Sequence, residues 1–186
     1  MKKLIIILAA AACAMNARAV PINGTVSFSG SVKLDTGNPA TANAVTKWFN
    51  TKVEDADGTF GLFLVTGSPA TFTAPWTFDP STATTPLWTA GGFTFDLASS
   101  TINAQFAAGP LKFLNISGSG TVTGNGYSAT PGDWSFTTQS PSSAGKFSFS
   151  ASSSAHGVGV PDSGSTLGLL GAALCGIGLI RRKMAA

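Results

Sequence analysis

Segment 20–151 predicts an all-β fold, an antiparallel β-sandwich or a jelly-roll-like domain. Three observations carry this reading. Apolar and polar residues alternate at period two over many short runs, which is the pattern of a half-buried strand. Clusters of Gly, Pro, Asn and Asp separate those runs at short intervals, which reads as an antiparallel sandwich or barrel. The residue types also fit, because the chain holds 13 Phe and the runs are rich in Thr, both of which suit a pleated surface.

Composition narrows the class further. The chain has 186 residues, room for one domain of ordinary size. Hydrophobic residues make up 44% and charged residues only 10%. That is too apolar for a disordered chain and too poor in A/E/K/L/R for a coiled coil. The net charge is +3, but six of the 11 basic residues lie near the termini: Lys2, Lys3, Arg18, Arg181, Arg182 and Lys183. Between residues 20 and 160 five scattered lysines face seven carboxylates, a net of −2. No basic patch for nucleic acid is present.

Residues 1–19, MKKLIIILAAAACAMNARA, read as a signal peptide. Lys2 and Lys3 form its positive start, and Leu4 to Met15 is an apolar run of 12 residues, too short to span a bilayer. Ala17-Arg18-Ala19 is the small-x-small pattern that signal peptidase accepts, so the mature chain is expected to begin at Val20. Cys13 gives a weaker lipoprotein reading, since Ala10-Ala11-Ala12 precedes it with no Leu three positions before. The only other cysteine is Cys175, so the β domain has no disulfide and no Cys-based metal site.

The strand-like runs follow in order. Val26, Phe28, Val32 and Leu34 share one parity. The stretch 40–53 fits a helical stripe through Val45, Trp48, Phe49 and Lys52, and also a strand through Val45, Lys47, Phe49, Thr51 and Val53; its flanks favour strand. Phe72, Ala74, Trp76 and Phe78 form a further run, in which Pro75 marks an edge or a bulge. Phe93, Phe95 and Leu97 continue, then Ile102, Ala104 and Phe106, then Trp134 and Phe136, then Phe147, Phe149 and Ala151. Turn clusters include Gly91-Gly92, Gly109-Pro110 and Gly124-Asn125-Gly126. From Ser152 to Gly159 the composition of small residues reads as a flexible linker.

Residues 160–186 form three parts. Val160-Pro161-Asp162-Ser163-Gly164 is a polar, turn-forming pentad. Ser165 to Ile180 is an uncharged run of 16 residues, about 24 Å as a helix, and is expected to be a single transmembrane helix. Arg181, Arg182 and Lys183 then stop it on the cytoplasmic side by the positive-inside rule. This order of motif, apolar span and basic cluster resembles the PEP-CTERM sorting signal of Gram-negative bacteria. Pro161 matches that family's motif proline, Asp162 its acidic position, and Arg181 and Arg182 its basic stop. Val160 departs from the polar first position, which places the signal in the VPDSG-type variant. The resemblance implies processing by exosortase, an integral-membrane protease, near the motif. The pentad also resembles the LPxTG signal of sortase substrates, with two of four fixed positions differing. A glycolipid-anchor tail is disfavoured, because such tails end in apolar residues.

Chemistry in the β domain is sparse. The one histidine, His156, falls in the expected linker and reads as a solvated spacer. No H-E-x-x-H, G-x-S-x-G or phosphate loop occurs. Asp55-x-Asp57-Gly58 resembles part of a calcium loop, but counting from Asp55 loop position 12 is Thr66 and not Glu, so a solvated turn is the simpler reading. Among four tryptophans, Trp76 and Trp134 share parity with core residues, which leaves Trp48 and Trp88 as candidates to stack on a sugar ring. The expectation is a non-catalytic surface or extracellular-matrix protein with no cofactor and no metal. The alternatives are a module for extracellular polysaccharide and, third, a secreted hydrolase.

Overall fold

The computed structural model describes residues 20–139 and 147–156. The expected signal peptide 1–19, with Ala17 and Ala19, and the whole tail from residue 157 lie outside them. The described residues form nine strands: β1 (Asn23–Leu34), β2 (Ala44–Ala56), β3 (Thr71–Phe72), β4 (Trp76–Thr77), β5 (Thr84–Ala90), β6 (Phe93–Ala108), β7 (Leu111–Gly124), β8 (Tyr127–Gln139) and β9 (Phe147–His156). One 3-10 turn, Phe60–Leu62, follows β2. Among the described residues no helix is long and apolar enough to cross a membrane. The stretch 44–53 is strand, as its flanks suggested.

All nine strands belong to one antiparallel sheet, in the order β3-β5-β6-β7-β8-β9-β1-β2-β4. Of the sandwich or barrel that the sequence led us to expect, the two-sheet sandwich is corrected: the described strands form a single curled sheet. The curl nearly closes. Residues 67–70, which lead into β3, bond to β2: the Val53 N–H donates to the Ser68 carbonyl at 2.9 Å and the Gly67 N–H to the Val53 carbonyl at 2.8 Å. β3 itself pairs with β5 at the other end of the sheet. Alternation shows which face of a strand is buried. It does not show whether two buried faces belong to two sheets or to one that bends. The bending comes from ladder irregularities, three between β1 and β2 and two between β6 and β7.

The turns obey their sequence signals. Gly91-Gly92 has φ of 53° and 83°, and Asn125-Gly126 has 50° and 79°. Positive φ at both central residues gives the tight hairpins β5–β6 and β7–β8, whose turn twist matches the strands.

The core fills the inside of the curl. Trp76, Trp88, Trp134, Phe28, Phe93, Phe95 and Phe136 are buried to within 1% of completely. Rings from opposite sides of the curl meet. Phe28 on β1 lies 5.0 Å from Trp88 on β5, and Trp48 on β2 lies 5.8 Å from Phe136 on β8. Each such burial stabilises by about 1.5–3 kcal/mol, before ring geometry adds its share.

Two further expectations change. The run 71–78 is not one strand. It breaks at Ala74-Pro75 into β3 and β4, and Ala74 is exposed. β4 is the edge strand beyond β2, so Pro75 does sit at an edge. The flexible linker from Ser152 is also corrected. β9 runs on to His156, paired on one side with β1 and on the other with β8. Its small residues continue the alternation, with Ser153 and Ala155 buried and Ser152 and Ser154 facing out. A small residue is required at 153, because its cross-strand partner is Trp134. The domain boundary thus moves from 151 to 156.

Candidate functional site

The two sugar-stacking candidates do not form a binding face. Trp88 is fully buried, between Phe28, Phe60 and Phe95. β5 buries Leu87 and Trp88 in succession across a register shift, which parity could not foresee. Trp48 is half-buried against the core. Its ring stacks on Phe72 at 4.6 Å, and its indole N–H donates to the Thr73 carbonyl at 2.9 Å.

The acidic cluster at the end of β2 is committed to the fold. The Asp57 carboxylate accepts the Thr25 backbone N–H, and this clamps the loop after β2 to the start of β1. The approach is close. Gly58, at φ 54°, lies where a Cβ would meet the Asn23 carbonyl at 2.2 Å. Glu54 accepts the Ser29 hydroxyl and pairs with Lys52 at 3.1 Å. Thr66, at the calcium-loop position, donates its hydroxyl to the Glu54 carbonyl at 3.0 Å. Among the described residues no group of three or more His, Cys, Asp or Glu could hold a metal ion.

The Ser29 hydroxyl first, and then Lys52, hold the Glu54 carboxyl below its ordinary 4.5. A depressed carboxylate stabilises the fold at pH values above its unfolded pKa. That contribution is lost as pH falls through the lower folded value. Ser29→Ala is therefore expected to raise the Glu54 pKa toward 4.5, read from its side-chain carboxyl shift in an NMR titration. An unchanged titration would mean that Ser29 does not set it.

His156 ends β9 opposite Asn23, and is no spacer in a linker. Its Nε2 lies 3.2 Å from the Ser154 hydroxyl and 3.4 Å from Asp133. A Ser–His–Asp relay needs the serine and the carboxylate on opposite ring nitrogens. Here both contacts are on Nε2, so these three residues do not form one.

Two surface features escaped the sequence reading. The outer face of β1, β9, β8, β7 and β6 carries rows of short polar side chains in register. One row is Thr25, Ser154, Asp133, Ser119 and Ser99, and the next is Ser27, Ser152, Ser135, Ser117 and Thr101. Beside them the Asn103 amide donates to Asn115 at 2.8 Å. Alternating Ser and Thr were the available signal, but register across five strands is not written in any one of them. The second feature is an apolar rim at the end of the 3-10 turn and just beyond it, where Leu62, Phe63 and Val65 are exposed.

Both ends of the described segment emerge beside that rim. The Ser128 N–H donates to the Val20 carbonyl at 2.9 Å, and Asn23 pairs with His156. The Phe63 ring lies 6.2 Å from Tyr127, the neighbour of Ser128. The chain thus enters and leaves the sheet at one end.

An all-β body followed by the residues of a sorting signal defines a class of exported protein directed to the cell envelope. The family described as VPDSG-CTERM motif matches residues 159–184, consistent with a PEP-CTERM-type sorting signal. The match spans Val160–Gly164 and the basic stop Arg181, Arg182 and Lys183, all outside the described residues. It favours an exosortase-type signal over the LPxTG resemblance. No curated protein and no solved structure matches the chain.

Proposed function

We propose that this chain is a non-catalytic surface or extracellular-matrix protein, exported through the general secretory route and sorted by exosortase. Signal peptidase removes residues 1–19, Ser165–Ile180 holds the precursor in the membrane, and exosortase acts near Val160–Gly164. The match over residues 159–184 carries this reading.

Mass spectrometry of both termini of the mature protein tests it. The expected species begins at Val20 and ends near Val160–Gly164. A protein that begins at Met1, or carries lipid on Cys13, removes the export part of the proposal.

A second reading is a module for extracellular polysaccharide, now without aromatic stacking. The hydroxyl and amide rows across β6 and β7 favour it, because they offer short donors and acceptors to a glycan chain. Retention on insoluble polysaccharide, lost in Asn103→Ala, would support this second reading.

A further inference from the structure

We propose that the end of the β domain where Val20 and His156 emerge is a lipid-facing surface, with Leu62, Phe63 and Val65 resting in the headgroup–acyl boundary of the bilayer that holds the precursor. This rests on the reading of Ser165–Ile180 as a membrane anchor.

The rim is built, not slack. Its neighbours Phe60 and Leu64 are buried in the core, and the Phe63 and Leu64 N–H groups both donate to the Phe60 carbonyl, at 3.0 and 2.9 Å. That fastening leaves Leu62 73% exposed, Val65 72% and Phe63 47%. Val20, 64% exposed, joins them through Ser128 and Tyr127. Clustered exposed apolar side chains of this size mark a contact surface more often than scattered single ones do.

Chain length selects the occupant. Eight residues, 157–164, separate His156 from Ser165. Fully extended they reach at most about 29 Å. While the tail is uncut, this end of the domain therefore stays within that distance of the membrane. A second exposed apolar pair, Phe106 and Leu111, lies at the β6–β7 hairpin tip. Phe106 lies 13 residues along β6 from Phe93, at most about 43 Å if that strand were straight, so the same tether favours it less than the rim. Three or four side chains bind a bilayer weakly alone. A short tether converts weak contact into a populated one by raising the local concentration. Asp55, Asp57 and Asp133 stand at the same end, so the surface suits neutral lipid and is repelled by anionic lipid. Cleavage near Val160–Gly164 removes the tether and thereby releases the contact.

The test uses the chain from Val20 to Ala186, the precursor after signal-peptide removal, with Cys175→Ala, reconstituted in phosphatidylcholine vesicles. An environment-sensitive fluorophore is attached at Leu62→Cys, at Val65→Cys or, as the control, at Leu111→Cys. Nitroxide-bearing phospholipid is the quencher. The expected result is at least twofold stronger quenching at 62 and 65 than at 111, reduced when a third of the lipid is phosphatidylglycerol. If the chain floats with the vesicles but all three sites quench alike, the lipid-facing surface is overturned and the anchor reading stands. If the chain does not float, both fall. Crosslinking of two copies through position 62 without lipid quenching assigns the rim to self-association and also overturns the proposal.

Discussion

Trp134→Ala is expected to lower the stability of the β domain by about 3–5 kcal/mol, the range for deleting a buried aromatic. Trp134 is 1% exposed on β8. Its ring lies 5.8 Å from Phe72, 6.3 Å from Trp76, 6.3 Å from Phe95 and 6.4 Å from Phe28. These come from four different strands, so no single one can move in to fill the space. Ser153, its partner on β9, is too small to do so. Trp134→Phe should cost much less. The buried indole N–H finds no acceptor among the described residues, so that change is expected to remove volume and little polar pairing. Phe106→Ala, at an exposed hairpin tip, should stay within about 0.5 kcal/mol. Urea unfolding of the three variants measures the ranking through midpoint shifts at constant m. A Trp134→Ala shift below about 1 kcal/mol would mean that the interior of the curl collapses around the gap, against this account of its packing.

The same residue shows how far the sequence could be read. On β8, Trp134, Phe136 and Thr138 point inward and Asp133, Ser135 and Thr137 outward, which is the alternation visible in the chain. Asn125-Gly126 and Gly91-Gly92 were equally legible, because positive φ restricts the residue types a tight hairpin accepts. What failed had a physical cause each time. Ser152–His156 has the composition of a linker, yet two neighbouring strands pair with it on both sides. Trp88 is buried because β5 slips in register, and one strand's sequence does not reveal its neighbour's slip. One curled sheet and two packed sheets produce the same alternation. The sorting motif was legible because its three parts are consecutive, and the match at 159–184 confirms its type. The gathering of Val20, Leu62, Phe63 and His156 at one end was not, since it depends on pairs such as Asn23 with His156, distant in sequence.

The largest functional effects are expected in the tail, where three physical roles should separate by mutation. Apolar residues near the centre of a membrane helix each gain about 0.3–0.6 kcal/mol on insertion, so Ser165–Ile180 is expected to partition and hold. A positive charge at the bilayer centre costs about 2.5–3.5 kcal/mol by insertion scales, so Arg181, Arg182 and Lys183 together should stop transfer. Replacing all three by Ser should let the chain pass through, giving secreted protein that ends at Ala186. Pro161 is disfavoured inside a helix, so the pentad is expected to stay outside the helix that follows, where a protease can reach it. Pro161→Ala with Asp162→Ala should leave insertion intact and abolish processing, so that full-length protein accumulates in the membrane. A host without exosortase should reproduce the second phenotype and not the first, because under the proposed function insertion precedes processing. Fractionation followed by intact-mass measurement distinguishes the cases. Wild-type protein that still ends at Ala186 in a host with active exosortase would reduce the tail to an anchor, and the sorting role proposed for Val160–Gly164 would fall with it.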